Sequence, residues 1–269
     1  MNSNTIRKKT LKSIYFAKSG HPGGSLSIVD LLIELVHSED VLKPECKNKF
    51  ILSKGHACPA LYAIAAENGL ISDEELYKLR KLGSLTQGHP HCKTLPWLET
   101  STGSLGQGFS VGIGMAIAYK YQKNSERVYV LVGDGELQEG EIWEGAMCSS
   151  HFKLDNLCLI IDYNKLQSDN FNSVIMGLEP LRAKWESFNW NVIEINGHAS
   201  TEINNALKNA KEFKGKPTVI IANTIKGKGV SYMENSPLWH GSVMLTKKDM
   251  LQAFHDLEAT ENELLEFKN

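Results

Sequence analysis

Four short apolar runs constrain this chain more than any other feature: RVYVLV at 127–132, NLCLIID at 156–162, WNVIEI at 190–195 and PTVIIAN at 217–223. They are rich in Val and Ile and almost continuous in apolarity, whereas a strand with one solvated face alternates. Segments of helical character at 106–122, 139–150 and 200–213 separate them. The pattern predicts an α/β fold, a doubly wound, mainly parallel sheet flanked by helices. Polar, glycine-rich turns follow the runs: Gly133-Asp134-Gly135-Glu136, Tyr163-Asn164-Lys165, Asn196-Gly197-His198 and Thr224-Ile225-Lys226-Gly227-Lys228-Gly229. Open parallel sheets bind ligands outside the carboxyl ends of their strands, so these turns are expected to form the binding edge.

Ahead of residue 106 the chain reads as helices at about 4–18, 26–37, 57–68 and 73–81, with Ser72 placed to cap the last. The loops between them, SGHPGGS, SKGHACP and QGHPHC, each set a histidine beside glycine or proline. Thr246 and Asp249 have the spacing of a capping box before the helix MLQAFHDL. Trp185, Phe188 and Trp190 are expected in the core.

A net charge of −2 and no long basic block argue against nucleic acid as a partner. The cysteines form no C-x-x-C pair, which excludes a zinc knuckle or redox dithiol. No apolar run approaches the roughly 20 residues of a spanning helix, and the basic N-terminus lacks an apolar stretch. The expectation is a cytoplasmic protein of 269 residues, organised as one domain over 1–269, that binds small molecules or other chains and no membrane.

The candidate chemistry sits after the first two runs. If those strands are neighbours, about 4.8 Å apart, the Asp134 carboxylate and the Asn164 amide oxygen converge. Mg²⁺ prefers hard oxygen ligands, takes one or two carboxylates and completes its shell with phosphate oxygens. Gly133 and Gly135 let backbone approach a diphosphate. Alone, G-D-G is a common turn. The run G-S-L-G-Q-G-F-S-V-G-I-G does not spell a dinucleotide-binding fingerprint and follows no strand. His89-Pro90-His91-Cys92 lacks a further ligand pair at zinc spacing.

G-D-G at 133–135 followed by D-Y-N at 162–164 resembles the thiamine-diphosphate enzymes, with Tyr163 where the family motif has a first Asn. S-G-H-P-G (19–23), S-K-G-H-A (53–57), G-H-P (88–90), T-G-S-L-G-Q-G (102–108), G-D-G-E-L-Q-E-G (133–140), K-G-K-G (226–229) and W-H-G (239–241) occur in the order seen in transketolases. This resemblance covers nearly the whole chain. It implies that Asp134, Asn164 and the Leu166 carbonyl hold Mg²⁺, for which Ca²⁺ or Mn²⁺ substitutes. It implies that Lys54, His56, Gly103, Leu105, Gly133, Gly135, Glu136, Lys226 and His240 line thiamine diphosphate, and that His21 and His89, with His240, act on the sugar. It further implies a diphosphate-type domain whose pyrimidine-binding and C-terminal domains lie on a separate chain, a transketolase C-terminal subunit, in an α2β2 assembly with Glu139 and Glu144 at the dimer interface that links two active sites. The implied activity is transfer of a two-carbon ketol unit from a ketose or ketose phosphate to an aldose acceptor. A related thiamine enzyme acting on a sulfosugar, a branched sugar or a 2-oxo acid is the alternative.

Overall fold

All four apolar runs are strands, and a short fifth strand joins them. The computed structural model describes residues 1–43 and 45–268. In chain order the strands are Lys49–Leu52 (β1), Val128–Gly133 (β2), Leu157–Tyr163 (β3), Leu166–Gln167 (β4), Asn170–Phe171 (β5), Asn191–Asn196 (β6) and Thr218–Asn223 (β7). β4 and β5 form a small antiparallel hairpin, and the other five make a sheet in the order β1-β2-β3-β7-β6 whose pairings are all parallel. The sequence reading missed β1 because a four-residue strand has no period to detect.

Alternate residues of the central strands feed two cores. Tyr129, Leu131, Cys158, Ile160, Ile220 and Ala222 pack on one face with the N-terminal helices. Val128, Val130, Val132, Leu157, Leu159, Ile161, Val219 and Ile221 pack on the other with the helices Gln107–Tyr121 and Gly140–His151. β2 and β3 are buried throughout, as expected. The run at 190–195 departs from that expectation: β6 is an edge strand, with Ile195 buried and Glu194 exposed. Trp185 and Trp190 are buried with ring centroids 4.9 Å apart, and Phe188 stacks on Trp143.

Two predicted helices are shorter than expected. The helix expected at 26–37 starts only at Val29 and runs to Ser38, after a separate short helix Pro22–Leu26. The Ser27 hydroxyl at the break donates to Asp162 Oδ2 at 2.7 Å, tying the break to the end of β3. The segment 73–81 stops at Leu76, although Ser72 Oγ does accept from Glu75 N. The Thr246–Asp249 capping box opens Lys247–Asp256 as predicted.

Asp30 binds four parts of the chain together. Its carboxylate accepts from Ser3 Oγ at 2.7 Å, Arg7 Nη2 at 2.6 Å and His198 Nδ1 at 2.7 Å, while Ile225 N donates to His198 Nε2 at 2.9 Å. Burial pushes the Asp30 carboxyl up, but the His198 hydrogen bond and the Arg7 charge outweigh it and hold the group at about 2. A depressed acid contributes stability above its unfolded value of about 3.9 and loses it as pH falls through the folded value. About 2 kcal/mol should therefore disappear between roughly pH 4 and pH 2 in denaturant titrations. Asp30→Asn should lack that component; parallel curves for the two proteins would reject this account.

Candidate active site

The turns after β1, β2, β3 and β7 meet at the carboxyl edge of the sheet around a cavity of about 280 Å³. His21, Lys54, His56, His89, Gly103, Leu105, Gly133, Asp134, Gly135, Glu136, Asn164, Leu166, Lys226 and His240 all line it. Gly24, Gln167 and Ser168 also line it and were not anticipated. Gln167 and Ser168 directly follow the D-Y-N-K-L stretch, which was the available signal.

β2 and β3 are in register at Gly133 and Asp162, so Asp134 and Asn164 do lie at adjacent strand ends. Asp134 Oδ1 accepts from Gly135 N at 2.8 Å, and Oδ2 accepts from Lys165 N. Asn164 Oδ1 accepts from Leu166 N at 3.1 Å, and the Leu166 carbonyl accepts from Lys226 Nζ at 2.9 Å. Burial, and then the Asp162 charge, push the Asp134 carboxyl up to about 7. A desolvated carboxylate raised in this way is one that a cation would stabilise. Among the described residues no three His, Cys, Asp or Glu side chains gather into a metal group. The local donors are instead a carboxylate, an amide oxygen and a carbonyl, a set that fits a hard cation sharing its shell with phosphate oxygens.

Positive charge surrounds the same floor. Lys54, only 2% exposed, donates through Nζ to Asp162 Oδ2 at 2.6 Å and to the Gly24 carbonyl at 3.1 Å. Asp162 and Asn164, two apart on an extended segment, point to one side, and Asn164 Nδ2 donates to Asp162 Oδ2 at 2.9 Å. Ser27 and Thr224 complete the shell of Asp162, whose carboxyl stays below the usual range: burial opposes ionisation, but Lys54 and these hydrogen bonds prevail. Lys226 falls to about 8, from burial and then the neighbouring Lys54 charge. Two ammonium groups on a nearly closed floor suit a polyanion.

Glu136 acts on its own chain. Its Oε1 accepts from Ser53 Oγ at 2.5 Å and Gly106 N at 2.9 Å, and Oε2 accepts from Gly133 N at 3.0 Å. It thereby joins the loops after β1 and β2 to the start of the helix Gln107–Tyr121.

Three imidazoles form the wall: the His21, His56 and His240 ring centroids lie 5.2–5.7 Å apart. Burial and then Arg80 hold His21 at about 4, and burial and then Lys226 hold His240 at about 3. His56 lies well below its ordinary value through burial and then Lys54, and His89 is lowered by burial and then Arg80. At neutral pH these rings are uncharged. Glu139 and Glu144 are both exposed.

Residues 1–260 match the family described as transketolase, thiamine diphosphate binding domain. The chain is 41% identical over 248 residues to an apulose-4-phosphate transketolase subunit of Phocaeicola vulgatus, covering 90% of this chain and 88% of that one. It is 41% identical over 261 residues to a 6-deoxy-6-sulfo-D-fructose transketolase subunit of a Clostridium species, covering 95% and 94%. The crystal structure of transketolase from Campylobacter jejuni superposes with a TM-score of 0.88 at 31% identity, over 99% of this chain and 46% of that one. The chain thus spans most of the two subunits and under half of that longer transketolase. No described helix is long and apolar enough to cross a membrane. By the family match and these relatives, the chain belongs to the transketolase family and carries its thiamine diphosphate binding domain.

Proposed function

We propose that this chain is the diphosphate-binding subunit of a cytoplasmic, two-chain transketolase. In that reading it works with Mg²⁺-thiamine diphosphate and transfers a two-carbon ketol unit from a ketose to an aldose. The observation that carries this reading is the meeting of Asp134, Asn164, Lys54, Lys226 and the imidazole wall in one cavity. The two subunit-length relatives support a separate partner chain bearing the pyrimidine half. Closed two-fold arrangements favour an α2β2 assembly, with Glu139 and Glu144 exposed where copies would meet.

Thiamine diphosphate, when bound, supplies the electron sink that lets the ketose C2–C3 bond break. Asp134, Asn164 and the Leu166 carbonyl would hold Mg²⁺, and Lys54 and Lys226 would neutralise remaining phosphate charge. His21, His89 and His240, on the outer side of the cavity, would orient the sugar hydroxyls. His21→Ala and His89→Ala should each lower ketose turnover about tenfold, the worth of one net hydrogen bond, with cofactor affinity unchanged. Wild-type turnover in both variants removes them from the mechanism.

Transketolase activity of the purified chain, alone and after addition of a candidate partner of roughly 300 residues, tests the whole reading, the size being two further domains of ordinary length. Activity only in the mixture is expected; full activity from this chain alone would overturn it. The two relatives of subunit length act, by name, on a phosphosugar and a sulfosugar, and their identities to this chain are equal at 41%. A panel of ketose phosphates, sulfoketoses, branched ketoses and 2-oxo acids therefore decides the donor.

A further inference from the structure

Arg80 touches the imidazole wall from behind. It lies past the helix that ended early, in the left-handed region at φ 60°, with its backbone N–H donating to the Thr86 carbonyl at 2.9 Å. Its Nη1 donates to Ser19 Oγ at 2.6 Å, and its Nη2 lies 3.3 Å from His21 Nδ1. The guanidinium packs over Gly88, where an added Cβ would come within 3.0 Å of Nε. Arginine offers N–H donors, has no acceptor and keeps its proton at any physiological pH. His21 Nδ1 must therefore be the acceptor in this contact. A neutral imidazole that accepts at Nδ1 carries its one proton on Nε2.

We infer that Arg80 is a positioning residue that fixes His21 as the neutral Nε2–H tautomer, so that His21 meets its ligand as a hydrogen-bond donor and not as a base. The Nε2 edge has no hydrogen-bond partner among the described residues. Gly241 keeps that edge open, since a Cβ there would stand 2.5 Å from Nε2. His21 lines both the main cavity and the adjoining pocket formed with Ser168, Asp169 and His240, so the donor borders both. The charged or titratable groups facing the ring are Arg80, His89, Lys54, Lys226, His56 and His240, with Asp169 the acid on the adjoining pocket. Burial and then the Arg80 charge disfavour the imidazolium and outweigh the exposed Asp169 carboxylate. The identity of the ligand as a sugar hydroxyl or carbonyl rests on the proposed function; the tautomer does not.

The test is a set of long-range ¹⁵N–¹H spectra on the full chain with ¹⁵N-labelled imidazoles, from roughly pH 5.5 to 8.5, a range that spans the ordinary histidine value. His21 is assigned by the signals lost in His21→Gln. A neutral Nε2–H pattern, constant over the range, is expected for the wild type. Arg80→Met should mix the tautomers and move the His21 midpoint upward, and Arg80→Lys should keep the wild-type pattern in part. An Nδ1–H pattern in the wild type, or an Arg80→Met spectrum with wild-type tautomer and titration, would overturn the inference. Should Arg80→Met not fold, the wild-type spectrum still decides the tautomer. Ser19→Ala, which releases the other end of the guanidinium, must then loosen it. In the assembled enzyme Arg80→Met should lower ketose turnover about twofold, less than His21→Ala because the mixed tautomers keep part of the donor, with cofactor affinity unchanged. These spectra need no turnover, so absent ketol transfer would refute the proposed function and leave the tautomer standing.

Discussion

Asp134→Ala should leave no measurable metal-dependent binding of thiamine diphosphate. In the proposed site the residue would supply the anionic oxygen of a donor set otherwise made of an amide and a carbonyl, and neutral oxygens alone bind a strongly hydrated dication poorly. Even groups that only support a metal ligand cost about 10–100-fold in metal affinity when removed, so loss of the charged ligand itself should exceed that. Asp134→Asn should lose affinity as well, since it removes the charge and turns one of the two oxygens that accept from Gly135 N and Lys165 N into an amide donor. Asn164→Ala should give the smaller loss. Calorimetry with and without Mg²⁺ checks this, and wild-type affinity in both alanine variants would rule out the metal assignment.

Asp162→Ala should cost about 3–5 kcal/mol of folding stability, the range for removing one member of a buried ion pair. Asp162 has no exposed surface and receives Lys54 Nζ, Ser27 Oγ, Asn164 Nδ2 and Thr224 Oγ1. Its removal strands a buried ammonium and leaves three neutral donors without their acceptor. Replacing both charges, Lys54→Met with Asp162→Leu, should recover the part of the loss that comes from the stranded ammonium, while Ser27, Asn164 and Thr224 still lack their acceptor. Cofactor binding should stay impaired in that double variant, which lacks the ammonium. Denaturant unfolding decides the matter: a loss under about 1 kcal/mol in Asp162→Ala would mean that the pair does not support the fold.

The central strands were legible because β2, β3 and β7 are buried on both faces and so keep an unbroken Val/Ile signature. The loops that meet in the cavity were legible for another reason: each carries its polar group directly after a strand or between glycine and proline. What lay hidden depends on distant partners. Ser27 meets Asp162 across 135 residues, Lys54 meets it across 108, and Arg80 meets His21 across 59. No local periodicity encodes such pairs. The helix at 73–81 was overextended because Arg80 and Lys81 have good helix propensity, which the turn that delivers Arg80 to His21 overrides. β6 was read as fully buried because its composition matches the central strands while its place at the sheet edge is a property of topology.

That topology bears on how the chain is made. β7 is the last strand in the sequence, yet it lies between β3 and β6 and hydrogen-bonds to both. During synthesis β3 therefore presents an unpaired apolar edge until residue 223 has cleared the ribosome. The roughly 60 residues that separate the ends of β3 and β7 take about 3–12 s at ~5–20 residues per second. Through that interval the nascent chain holds an open strand edge of the kind that invites pairing with other chains. The cavity is unfinished as well, since Lys226 and His240 come later still. The cofactor can therefore reward only the completed fold, and its abundance should protect finished chains without rescuing growing ones.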